Sequence, residues 1–152
     1  MAAPHRAAER VLNELGVAGP EDLQLLDAIA FERGAVVLYK PLYGAEARLV
    51  TLGKDAIITI SSLVRDARRR RFSLAHEVGH LELHRHRSSV FICTSQDLDS
   101  WGRQSADAHL ERETNEFAAA LLLPERFFAQ RCRDTGPSLE LIAQWPTCLM
   151  CR

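Results

Sequence analysis

The sequence predicts an α+β fold: one domain in which helices pack on a small three-stranded antiparallel sheet. Three observations lead there. Apolar residues recur at helical spacing across residues 7–33 and again from about residue 68 onward. Between those stretches, residues 35–60 switch to short β-branched runs punctuated by glycine, proline and aspartate. At 152 residues, with 47% hydrophobic and 26% charged residues, the chain has the size and composition of one globular domain with a real core.

The elements follow in order. Residues 7–15 form an amphipathic helix closed by Gly16 and Gly19. Pro20 suits the first turn of a second helix, residues 21–33, in which Leu23, Leu26, Ile29 and Ala30 keep helical spacing up to Gly34. Residues 35–39 read as a strand and 41–44 as a turn. Residues 47–52 and 56–60 are two further strands, joined at Gly53-Lys54-Asp55 as a hairpin. A long helix covers about 68–84. The polar stretch 85–105 is expected to be a loop. Residues 106–123 are helical and stopped by Pro124, and 125–131 form a short helix that this proline begins. After a break at 134–137, residues 138–144 open a last helix. The domain is expected to span 1–145, with an irregular tail at 146–152.

The formal net charge of -1 gives no global reason to expect nucleic-acid binding. The basic run Arg65 and Arg68–Arg71 is read as a solvated helix start beside acidic partners, able also to steer an acidic substrate; DNA binding is the alternative. No run approaches the ~20 apolar residues that span a bilayer, so no membrane partner is expected. The charged first helix lacks a signal-peptide core, and the expected location is cytoplasmic. Cys93, Cys132, Cys148 and Cys151 are then expected as free thiols. Cys148 and Cys151 have C-x-x-C spacing, but a lone pair is a weak metal or redox signal.

The chemistry concentrates at His76-Glu77-Val78-Gly79-His80. On a helix, positions i and i+4 share one face, so two imidazoles can bind one ion while Glu77 lies beside it and takes a proton from the attacking water. The pattern alone is weak. Its setting strengthens it: Phe72, Leu74, Ala75, Val78, Leu81 and Leu83 make the helix apolar nearly all round, and polar groups inside such a helix need partners.

Three residues compete as a third ligand. His84 lies about 12 Å along the axis from His76, too far to share an ion with both motif histidines. His86 falls where metzincins place their third histidine, but Leu83 replaces the glycine that lets the chain turn back. Glu111 is the better candidate, because Asn115 follows one turn later and can orient a histidine. Glu113 and Glu116 are read as solvated. Gly79 and the small residues after Phe117 suit close packing of the two helices. His109 and Tyr43 are candidate oxyanion donors, and residues 56–60 a candidate edge for a substrate strand.

Two blocks, Arg71 to His84 and Glu111 to Pro124, resemble the ImmA/IrrE family of metallopeptidases, a zincin-like group. The resemblance implies a zincin-like catalytic domain with His76, His80 and Glu111 on the metal and Glu77 as the catalytic glutamate. It implies a protein substrate, often a helix-turn-helix repressor encoded nearby. Zinc is the expected ion, and manganese or iron suits the same ligands. The expected activity is metal-dependent endopeptidase. The alternative is a non-catalytic metal-binding regulator that acts by binding a partner protein. The sequence carries no reading of oligomeric state.

Overall fold

The computed structural model describes residues 3–98 and 106–145. The first helix, α1 (Ala3–Glu14), buries Pro4, Ala7, Ala8, Val11 and Leu12, a stripe at three- and four-residue spacing. The second predicted helix is broken. Residues 22–24 make one 3-10 turn, and α2 covers only Leu26–Glu32. The break has one local and one distant cause. The Asp22 carboxylate accepts from the backbone N–H groups of Ala18 and Gly19 at 3.0 and 3.2 Å. The carbonyls of Leu23 and Gln24 accept from the Arg71 guanidinium rather than from a continuing helix.

The sheet has four strands and mixed direction, which corrects the expected three antiparallel strands. Its order is β1 (Ala35–Lys40), β3 (Asp55–Ser61), β2 (Ala47–Leu52), β4 (Val90–Cys93). β2 and β3 form the predicted hairpin, but β1 joins the other side of β3 and runs parallel to it. The reason is burial. β3 exposes only Asp55 and Ile57, so it takes the central place, and residues 41–46 carry the chain across its end. Ser61 fixes that crossing: its hydroxyl donates to the Leu42 carbonyl at 3.2 Å, and its N–H donates to the Glu46 carbonyl at 2.8 Å. β4 lies in the stretch expected to be a loop, and pairs antiparallel with β2 through Ala47↔Cys93, Leu49↔Phe91 and Val50↔Val90. Since β3 is paired on both sides, residues 56–60 offer no free edge; the sheet's outer strands are β1 and β4.

The motif helix, α3 (Ala67–His84), begins at Asp66, whose side chain accepts from Arg68 N–H at 2.9 Å. Residues 73–81 are buried without interruption, because α3 packs on the sheet on one side and on α5 (Ala106–Leu122) on the other. A Cβ placed on Gly79 would lie 2.8 Å from Thr114 Cγ2 and 3.1 Å from Phe117 Cδ1, so this glycine sets how closely the two helices approach. The core between the layers contains Leu12, Leu49, Ile58, Ile60, Leu74, Val78, Phe117 and Leu121.

Short α4 (Ser95–Leu98) follows β4, and α6 (Glu125–Thr135) and α7 (Leu139–Ala143) follow α5. Trp145 closes the described chain against α5, donating to the Leu122 carbonyl at 3.3 Å. Four arginines of the basic run, Arg68 to Arg71, have partners within the fold. Arg68 pairs with Asp66, Arg69 with Glu46, and Arg70 and Arg71 with backbone carbonyls. Among the described residues, no helix is long and apolar enough to cross a membrane. Cys148, Cys151 and the expected tail lie outside the described residues.

Candidate metal centre

One helical turn sets His76 and His80 on the face of α3 that meets α5, and both are completely buried. Their Nε2 atoms converge to 3.1 Å. Glu111 reaches across from α5, with Oε2 3.0 Å from His76 Nε2 and Oε1 3.4 Å from His80 Nε2. Cys93 arrives from the end of β4. The donor atoms of these four residues all lie within 4.8 Å of one another.

This cluster fits a divalent cation. Tetrahedral zinc with bonds of about 2.0–2.3 Å brings its donors to roughly 3.3–3.8 Å of one another. The two imidazole nitrogens and the Glu111 carboxylate lie 3.0–3.4 Å from one another, slightly inside that spacing, so a small outward shift admits the ion. The donor set also leaves charge and hydrogen bonding unsettled without an ion. Both oxygens of Glu77 are buried without a hydrogen-bond partner, and Glu111 Oε2 has the His76 nitrogen beside it at 3.0 Å.

The histidines are held by their other nitrogens. His76 Nδ1 lies 2.8 Å from Asn115 Oδ1, and the Asn115 amide donates in turn to the Asp97 carbonyl at 3.1 Å. An acceptor at Nδ1 places the ring proton there and leaves the Nε2 lone pair facing the cluster. His80 Nδ1 lies 3.4 Å from Thr114 Oγ1 and 3.2 Å from His84 Nδ1. Thr114 donates its own proton to the Leu110 carbonyl at 2.7 Å, so its lone pairs face the histidines. Phe91 stacks on the His80 ring, with centroids 4.4 Å apart and planes 18° from parallel.

Burial shapes the protonation of the site. Desolvation pulls His80 down to about 4, which keeps it a neutral imidazole. Desolvation would raise the Glu111 carboxyl, but His76 and His80 outweigh it and hold it at about 2. Glu77 is pushed up to about 7 by desolvation, partly offset by His76 and by the adjacent Cys93 thiol. That thiol, a weak donor, leaves both Glu77 oxygens without a partner of hydrogen-bond geometry. Burial pushes Cys93 itself upward, and the nearby carboxylates of Glu77 and Glu111 add to the shift.

Compared with known protein families, residues 31–145 match the IrrE N-terminal-like domain, a peptidase family. The chain belongs to that family. No curated protein matches the chain. Membership makes it a metallopeptidase-family protein, and the matched span contains the whole sheet, the motif helix and every donor of the cluster.

Within this IrrE N-terminal-like domain, the predicted site residues separate into two groups. His76, Glu77, His80, Glu111 and Asn115 come together around one point. His109 and Tyr43 do not join them. His109 has a 58% exposed side chain and pairs with Glu113 at 3.4 Å, and Tyr43 is 88% exposed on the β1–β2 connection. His86 is exposed, as a solvated histidine at a helix end would be. His84, by contrast, is buried behind His80, with Nε2 3.2 Å from Glu113 Oε2. Glu113, expected to be solvated, is therefore engaged. Cys93 was expected only as a free thiol, and the sequence did not point to it, Phe91 or Thr114 as part of the centre. The available signal was the apolar run Val90-Phe91-Ile92-Cys93 in an otherwise polar stretch.

Proposed function

We propose that this protein is a zinc-dependent endopeptidase with a zincin-like active site. In this reading His76, His80 and Glu111 hold the metal, Glu77 is the general base, and Asn115 positions His76. The observation that carries it is the Glu77 carboxyl: fully buried, without a partner, and beside three convergent donors. A structural zinc site has no use for such a group, whereas hydrolysis does.

When bound, the ion lowers the pKa of water and polarises a carbonyl oxygen. The protein's own part is proton handling and orientation. Glu77 accepts the proton of the attacking water and returns it to the leaving amine. The acceptors at the Nδ1 atoms keep both imidazole Nε2 lone pairs aimed at the cluster. Phe91 holds the His80 ring against rotation. The substrate we propose is a protein, specifically a helix-turn-helix repressor encoded nearby; the support for that class is the family resemblance of the two sequence blocks.

The test is Glu77→Gln. It should keep metal content at the level of the parent while cleavage of candidate repressors disappears. Removing the base should cost about 10²–10⁴-fold in rate. Equal turnover in the two proteins would overturn the assignment. A second reading, a metal-binding regulator without catalysis, draws support from Cys93, since a fourth donor is the mark of a closed site. Repressor cleavage that depends on Glu77 would exclude it.

A further inference from the structure

We propose that Cys93 is a fourth ligand to the metal, and that its thiolate closes the resting site by occupying the position an attacking water needs. The proposal rests on the metal-centre reading above.

The ordinary role of a buried cysteine is that of a small apolar side chain. The surroundings of Cys93 do not suit that role. It is 1% exposed, and its Sγ lies within 4.8 Å of His76, His80 and Glu111 donor atoms, beside a Glu77 carboxyl that has no hydrogen-bond partner. An apolar filler here would sit among four polar groups. A soft sulfur ligand completes a tetrahedral set with two imidazoles and a carboxylate, and the combination suits zinc.

The backbone supports a fixed aim for the thiol. Cys93 ends β4 opposite Ala47, and its carbonyl accepts from Glu46 N–H at 2.9 Å. Glu46 is itself clamped by Arg69 of α3, with Nε 2.8 and 2.7 Å from the two carboxylate oxygens. The strand end that carries Cys93 is thereby tied to the helix that carries both histidines. On binding, the thiol proton is released to solvent and the sulfur lone pair forms the bond to the metal. A site closed by four protein donors leaves no position for water, so turnover requires the thiolate to leave.

The chain has four cysteines, so the decisive protein replaces Cys132, Cys148 and Cys151 together by serine and keeps Cys93 as the only sulfur donor of that kind. X-ray absorption at the zinc edge of this protein should show one sulfur neighbour at about 2.3 Å. A further Cys93→Ser change should remove it. The same comparison with cobalt should show a thiolate-to-metal charge-transfer band that vanishes with Cys93. Metal affinity should fall by at least the roughly tenfold that loss of an outer partner costs, while peptidase turnover rises. Bound zinc with only nitrogen and oxygen neighbours in the three-serine protein would overturn the proposal and leave the peptidase reading intact. Failure of that protein to bind zinc would overturn both. Should Cys93→Ser not fold, the spectrum of the three-serine protein alone decides the matter.

Discussion

Thr114 and Asn115 are adjacent on α5, yet each serves a different histidine. Asn115 faces His76 Nδ1 at 2.8 Å, and Thr114 faces His80 Nδ1 at 3.4 Å. Both are buried, and both are anchored by a second bond to a backbone carbonyl, of Asp97 and Leu110 respectively. Such anchored acceptors fix which ring nitrogen carries the proton. Asn115→Ala should therefore weaken metal binding by about 10–100-fold, with the fold retained, as read by competition with a chelating dye. Asn115→Asp keeps an acceptor at the same place and should restore most of the loss. Equal affinity in Asn115→Ala and the parent would remove the positioning role. His76, His80 and Glu111 were legible as a set because their spacing and the Asn115 partner carry a mechanism. Cys93 was not, because a cysteine outside a paired pattern has no spacing to read.

At the scale of elements, the approach of α3 to α5 is set by Gly79. An alanine there gains about 1 kcal/mol of helix propensity. Its methyl, however, would meet Thr114 Cγ2 at 2.8 Å, Phe117 Cδ1 at 3.1 Å and the Thr114 carbonyl oxygen at 3.3 Å. Thr114 is β-branched and its carbonyl is backbone, so neither yields easily, and overpacking of this kind costs about 1–3 kcal/mol. Packing should win: Gly79→Ala should lower the urea midpoint of unfolding, and Thr114→Ser, which removes Cγ2, should recover part of the loss. A midpoint raised by Gly79→Ala would show that the helices are free to part. The helices that carry the site were readable within a few residues, because their period and stop signals are local. The mixed sheet was not. β1 pairs with β3 because β3 needs cover on both edges, a competition between strands that no single strand encodes. β4 was missed because four apolar residues in a polar stretch are too short to show a period. The break before α2 depends on Arg71, 48 residues beyond Leu23 in sequence.

For the whole molecule, the donors come from three elements: His76 and His80 from α3, Glu111 from α5 and Cys93 from β4. A cation bound there joins parts of the chain that are distant in sequence, and the unfolded chain has no such site. Binding then adds to folding stability by mass action, about 4 kcal/mol when free metal is 1,000 times the dissociation constant. For a chain of this size each kcal/mol moves the melting temperature by roughly 2–4 °C. Stripping the metal with a chelator should therefore lower the melting temperature by about 8–16 °C, and added zinc should restore it. His80→Ala should melt at one temperature with or without zinc, since it lacks one donor and the Phe91 stack that orders β4 against α3. The Cys93→Ser protein should show a smaller zinc-dependent rise than the parent, because one of the three elements no longer contributes a ligand. The calorimetric series of parent, Cys93→Ser and His80→Ala thus ranks how far each element is held by the centre. An identical zinc-dependent rise in all three would place the metal elsewhere in the chain.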